Sequence, residues 1–160
     1  MSVDAIVSVN TDGLVTVWSA GAEHIFGYKK EEVIGSPLTI IIPRENLQEA
    51  EDIVTEVRRK GYVRGFETER LAKDGRRIEV EMSLSELGPE VGTTAILRDI
   101  TTRNRAKREQ EKSLVTLQKA FEGTIEAMAV TVETRDPYTA GHQKRVAELS
   151  CAIAQEMGLD

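Results

Sequence analysis

Two β-branched runs, Ala5-Ile6-Val7-Ser8-Val9 and Leu14-Val15-Thr16-Val17-Trp18, flank Asn10-Thr11-Asp12-Gly13 near the start of the chain. Asp-Gly admits the positive φ of a tight turn, so the pattern predicts a β-hairpin. The spacing then becomes helical, with Ala22, Ile25 and Phe26 recurring between Ser19 and Gly27. One further helical turn, Lys30 to Ile34, closes at Gly35, and Ser36 to Pro43 reads as extended or looped. From Arg44 to Lys60 a helix is predicted, because Leu47, Ala50, Ile53, Val54 and Val57 share a face and Gly61 stands at the C-cap. Three strands follow: Tyr62 to Leu71, Arg77 to Leu87 and Val91 to Asp99, with turns at Lys73-Asp74-Gly75 and Gly88-Pro89. The middle one alternates cleanly, Ile78, Val80, Met82 and Leu84 against Glu79, Glu81, Ser83 and Ser85.

Consecutive strands without crossover helices imply an antiparallel sheet, hence an α+β fold whose intervening helices cover one sheet face. Beyond it the chain to Thr134 holds no proline and one glycine, Gly123, which predicts a long helix. Leu114, Leu117, Phe121 and Met128 take a/d-like positions there, with Ile125 and Val132 alongside. Arg103, Lys107 and Gln110 at the upstream a/d positions weaken the coiled-coil pattern. The segment is either an exposed helix or a parallel dimeric one; a helix this long needs packing, which favours a homodimer. Arg135 to Gly141 breaks it, and Val146, Leu149, Ile153 and Met157 mark a second helix closed by Gly158. The end at Asp160 reads as a boundary inside a longer protein.

A net charge of −6 argues against a nucleic-acid binder. No apolar run, Ile40-Ile41-Ile42 included, approaches the roughly 18 residues of a membrane span, and no signal peptide is visible. The single Cys151 excludes an internal disulfide and a multi-cysteine metal site. A cytoplasmic module is expected.

Three stretches then occur in order: Asp12-Gly13 to Trp18-Ser19; Phe26-Gly27-Tyr28 with Glu31-Glu32-Val33-Ile34-Gly35; and Lys73-Asp74-Gly75 leading to Arg98-Asp99-Ile100-Thr101. Together they resemble a PAS sensor domain across about the first 100 residues. Ser19 stands where that family most often has Asn, and serine is also a good N-cap. The resemblance implies a five-stranded antiparallel sheet cupping a small-molecule or cofactor pocket. A covalent flavin sensor requires a pocket cysteine, which residues 1–100 lack, and that chemistry is excluded. A haem sensor usually takes a histidine from the long helix, and Arg44 to Lys60 has none, which argues against haem. His24 reads as a surface residue. Ile41, Phe66, Met82, Leu84 and Leu97 line the expected pocket or simply fill the core. Arg70 and Glu67 would orient a polar ligand, or else make cross-strand pairs. Asp99 and Thr101 are placed to cap the following helix, and Arg98 to pair with Asp99. Arg98, Asp99, Ile100 and Thr101 are therefore the expected coupling step between sheet and helix.

Residues 133–147, Glu133 to Ala147 through Asp136-Pro137-Tyr138 and Gly141-His142, resemble the start of an HD-GYP domain, a metal-dependent phosphohydrolase of cyclic di-GMP. The resemblance makes His142 a metal ligand of the complete enzyme, alongside a His-Asp dyad beyond Asp160. One imidazole cannot form that site, so these 160 residues are expected to be inactive. The expected division is a PAS domain over residues 1–100, a signalling helix over 101–134 and an HD-GYP-like fragment over 135–160. The expected function is sensory and dimerisation relay to a downstream cyclic di-GMP phosphodiesterase. The alternative is the sensor region of a histidine kinase, disfavoured because His142 is followed by Gln143 rather than an acidic residue.

Overall fold

Strands β1 (Ala5–Val9) and β2 (Val15–Trp18) form the predicted hairpin, with Val7 opposite Trp18. Asn10 organises its turn, its Oδ1 accepting from the amides of Asp12 and Leu14 at 3.0 and 2.9 Å. The computed structural model describes residues 4–88, 90–135 and 141–158, without the side chains of 132–135, 143 and 144. Pro89 of the predicted Gly88-Pro89 turn and positions 136–140 of the predicted helix break lie outside the described residues.

Ser19 caps α1 (Ala20–Phe26): its Oγ accepts from the amides of Ala22 and Ile6 at 3.2 and 2.8 Å. α2 (Lys30–Val33) follows. The stretch predicted as loop instead winds into a 3-10 turn over Leu38–Ile41, and a second covers Arg44–Asn46. Each is entered from a proline, Pro37 and Pro43, whose φ of −62° and −55° presets the turn. α3 (Leu47–Lys60) consequently begins three residues later than Arg44, and Leu47, at its first position, is exposed. Gly61 closes α3 with φ 83°, its amide donating to the Val57 carbonyl at 2.7 Å.

β3 (Tyr62–Leu71), β4 (Arg77–Gly88) and β5 (Gly92–Asp99) complete one sheet of order β2-β1-β5-β4-β3, antiparallel throughout. The fold is α+β with a five-stranded antiparallel sheet, as the alternation predicts. Ile78, Val80, Met82 and Leu84 point into the core with Val7 and Leu97, where α1 contributes Phe26 and α3 contributes Ile53 and Val57. Each such fully buried side chain contributes about 1.5–3 kcal/mol of transfer free energy. Trp18 and Phe26 pack with ring centroids 5.6 Å apart, and the Trp18 indole donates to the Tyr28 carbonyl at 3.1 Å. Gly92 lets β5 pass β1: a Cβ there would lie 2.0 Å from the Val9 carbonyl oxygen.

Helix α4 runs over Thr101–Arg135 and α5 over His142–Glu156. The chain divides into two compact units, the first ending at Ala106 and the second beginning at Lys107. Among the described residues no helix is long and apolar enough to cross a membrane.

Candidate functional site

Inside the first unit, α3 and the 3-10 turn over Leu38–Ile41 leave a cavity of about 70 Å³ against the inner sheet face. Ile41, Arg70, Met82, Leu84 and Leu97 line it, together with Val7, Ile53 and other aliphatic neighbours. Phe66 does not. It lies on the edge strand β3 beside a register shift between Val63 and Phe66, partly buried against the core but away from the cavity.

Arg70 is the one charged residue in that lining, and it is 4% exposed. Its Nη1 donates to the Glu69 carbonyl at 2.7 Å and to Thr68 Oγ1 at 3.2 Å, while Nη2 donates to the Met82 sulfur at 3.4 Å. Burial pulls the guanidinium below the usual arginine value, and the Glu49 carboxylate, 3.8 Å from Nη1, acts against that pull. Glu49 itself is held by Thr68 Oγ1 at 2.5 Å and by the Asn46 amide at 3.4 Å. Glu67, three residues from Arg70, falls on the opposite sheet face by the period of two and is not a neighbour of the cavity.

On that outer face the strand register sets carboxylates directly against one another, Glu67 opposite Glu81 and Glu69 opposite Glu79. Like charges in such pairs repel. The first turn of α4 relieves this: Arg103 reaches Glu67 at 2.7 Å and Glu81 at 3.8 Å, and the Asn104 amide donates to Glu79 at 2.7 Å. Arg77 serves the remaining carboxylate, bonding Glu69 at 2.8 Å and also Glu45. The backbone is joined as well. The Ile100 amide donates to the Glu79 carbonyl at 2.9 Å, and the Glu79 amide donates to the Thr101 hydroxyl at 3.1 Å. Asp99 then accepts from the Thr101 amide at 2.8 Å, capping the helix start, and Ile100 is buried.

Asp99, Ile100 and Thr101 thus meet at the helix root. Arg98 does not pair with Asp99, contrary to expectation; it forks onto Asp4 at 3.0 and 2.8 Å, beyond β1. That bond holds the Asp4 carboxyl below its usual range. Sequence reading missed Glu67, Glu79, Glu81, Arg103 and Asn104 as parts of this root. The run of acidic residues on the outer face of β4, followed by a basic helix start, was the available signal.

His24 is exposed on α1 and His142 is exposed at the start of α5. Ion and cofactor chemistry can be tested on the cavity lining. It contains no histidine, cysteine or tyrosine, and its volume is well below the roughly 300–1,000 Å³ of ordinary ligand pockets. That lining offers no imidazole to a haem iron and no thiol to a flavin ring.

A family model described as PAS fold matches residues 2–100, which contain both the cavity and the Asp99 cap. The chain is 30% identical over 115 residues to Oxygen sensor protein DosP of Escherichia coli K12, covering 68% of this chain and 14% of that protein. It is 27% identical over 143 residues to Signal transduction histidine-protein kinase AtoS of the same organism, covering 86% of this chain and 22% of that protein. The chain therefore spans under a quarter of the length of these two relatives. Among solved structures, the PAS domain of a protein from Colwellia psychrerythraea superposes with a TM-score of 0.58 at 32% identity, covering 62% of this chain and 87% of that one. The chain belongs to the PAS-fold family, and the matched residues form a sensor domain of the kind carried by signalling proteins.

Proposed function

We propose that this chain is the sensory and dimerisation module of a bacterial signal-transduction protein, passing the state of its cavity along α4 to an output domain. One observation carries the reading. β3 and β4 present Arg70 and Met82 to the cavity on one face and Glu67, Glu79 and Glu81 to the root of α4 on the other. A ligand or partner that shifts these two strands changes the seating of Thr101, Arg103 and Asn104, and biases the helix by its differential affinity for the two seatings. Arg98 and Asp99 take part as the strand end that hands the chain over at Ile100.

Dimerisation is assigned to α4. Leu114, Leu117, Phe121 and Met128 are 59%, 67%, 67% and 63% exposed, apolar side chains at helical spacing with water as their surroundings. Placing them in a parallel seam supplies the packing that a helix of 35 residues needs. Leu117→Glu is expected to convert a dimer to monomer in light scattering; an unchanged mass removes this interface.

The output domain is assigned as an HD-GYP phosphodiesterase, with residues 1–100 as sensor, 101–134 as signalling helix and 135–160 as its beginning. The supporting residues are those of the Glu133 to Ala147 motif, with His142 as a metal ligand once a downstream His-Asp dyad is present. Under this reading the present residues are not an enzyme and work in the cytoplasm. A coding sequence with no His-Asp dyad after Asp160 would refute it. The second reading, a histidine-kinase sensor region, is favoured by the AtoS match, whose 143 aligned residues run past the PAS span.

A further inference from the structure

A second cavity, of about 90 Å³, lies where the turn after β1, the C-terminal half of α3 and the β4–β5 end of the sheet meet. The pairing of β5 with β1 and β4 sets Val9, Thr93 and Glu86 in one row, and all three line the cavity. Glu86 follows Leu84 in the period of two and so belongs to the inner sheet face, where it is half-buried. A carboxylate there calls for a donor, and its side chain has neither hydrogen bond nor ion pair among the described residues. Thr93 beside it is 8% exposed, and its hydroxyl is unbonded among the described residues without being sealed off. From the other walls, Arg58 of α3 has no carboxylate partner among the described residues. Asn10 accepts from the Asp12 and Leu14 amides through Oδ1, which leaves its Nδ2 as a donor with no described acceptor. The walls are tied to one another, since the Glu86 amide donates to the Gly61 carbonyl at the end of α3 at 3.0 Å. Two unpaired charges of opposite sign and two unsatisfied hydrogen-bonding groups therefore share one preformed space.

We propose that this cavity binds a small zwitterion of the glycine or alanine class, its ammonium held by Glu86 and the Thr93 hydroxyl and its carboxylate by Arg58 and the Asn10 amide. The space equals about three waters of liquid, enough for about five or six non-hydrogen atoms. Each charge of such a ligand meets an opposite charge and a neutral hydrogen-bonding group. Simpler ligands satisfy half the site. An inorganic anion suits Arg58 and Asn10 but meets the Glu86 charge, an amine leaves Arg58 without a partner, and a neutral alcohol or amide compensates neither. A metal ion finds a single carboxylate, and the described residues hold no group of three metal-ligating side chains. A direct bridge between Arg58 and Glu86 is the rival arrangement, and in the structure the two do not pair. Thr93 stands at the opposite end of β5 from Ile100, so this site does not rest on the relay reading.

The test is an NMR titration of the isotope-labelled 160-residue chain with glycine and L-alanine at constant pH and ionic strength. Sodium acetate supplies the carboxylate alone and methylammonium chloride the ammonium alone. Glycine or alanine is expected to shift the Gly92 and Thr93 amide signals along a saturable curve, with each half-ligand binding about tenfold more weakly or worse. Glu86→Gln and Arg58→Gln should each weaken glycine binding by about tenfold while the spectrum away from the cavity stays in place. Thr93→Val removes only the hydroxyl and should weaken it severalfold. Should Thr93→Val disturb the fold, the two charge-removing variants decide the matter. No saturation by either amino acid through the millimolar range means that water or a direct Arg58–Glu86 bridge fills the space, and overturns the proposal. An equal response to acetate or to methylammonium overturns it too, as does glycine binding that is unchanged in Glu86→Gln. Such a failure leaves the relay along α4 and dimerisation through Leu117 untouched.

Discussion

Thr101→Val isolates one hydrogen bond at the root of α4. The Thr101 hydroxyl accepts from the Glu79 amide at 3.1 Å, standing where β5, had it continued, would have offered a carbonyl. Valine matches threonine in shape and has nearly the same helix propensity, so the change removes the acceptor and little else. Losing the partner of a fully buried donor costs about 1–3 kcal/mol; Glu79 and Thr101 are half-buried, which places the cost near the lower end, about 1 kcal/mol. That is about a fivefold rise in the opening constant at this site, and native-state hydrogen exchange reads it directly. The Glu79 amide should exchange about fivefold faster in Thr101→Val, and at the wild-type rate in Thr101→Ser, which keeps the hydroxyl. The Ile100 amide, bonded to the Glu79 carbonyl at 2.9 Å, reports whether the whole turn has loosened. Unchanged Glu79 exchange in Thr101→Val would refute the reasoning, as would a Thr101→Ser variant as fast as the valine.

Two further outcomes test the sheet. Gly92→Ala drives a methyl to 2.0 Å from the Val9 carbonyl at a backbone φ of 115°, and should cost about 4 kcal/mol or prevent folding. Gly13→Ala, with φ 77° and open space around it, should cost about 1 kcal/mol; similar melting temperatures for the two would remove the close-approach argument. The Arg98 bond depresses the folded pKa of Asp4, so its stabilisation is complete above the unfolded value near about 4 and disappears as the pH falls through the lower folded value. Chemical denaturation of wild type and Asp4→Asn should therefore differ at neutral pH and converge in acid; a gap that persists at low pH assigns the difference to something other than this ionisation.

The five strands, the Ser19 cap and the Gly61 stop were legible because each rests on local rules, a period of two or a single residue's φ preference. The two 3-10 turns were not, since three or four residues are too few to show a period and the prolines before them read equally as loop. Arg98 illustrates the stronger limit. The adjacent Asp99 was the obvious partner in sequence, but Asp99 turns to the Thr101 amide, and β1–β5 pairing brings Asp4 alongside. The cavity was legible in Ile41, Met82, Leu84 and Leu97, which follow from which face of each element is apolar. Phe66 fits the same alternation and lies outside it, because β3 is an edge strand interrupted by a register shift. The helix root was half-visible. Asp99 and Thr101 are cap residues in any sequence, whereas the facing glutamates emerge only once β3 and β4 are in register.

The strand order has a bearing on how the protein is made. β5 is the last strand synthesised, yet it is the central one, and it alone joins the β1–β2 hairpin to the β3–β4 hairpin. Until it emerges from the ribosome the nascent chain holds two separate hairpins, each marginal in water. Closing the seam brings Ser8 against Thr94, 86 residues apart, a slow and non-local step. The residues that follow at once, Ile100 and Thr101, dock on Glu79 of β4. The helix root can therefore form only on a finished sheet, so a half-made or clipped domain has no seat for the first turn of α4.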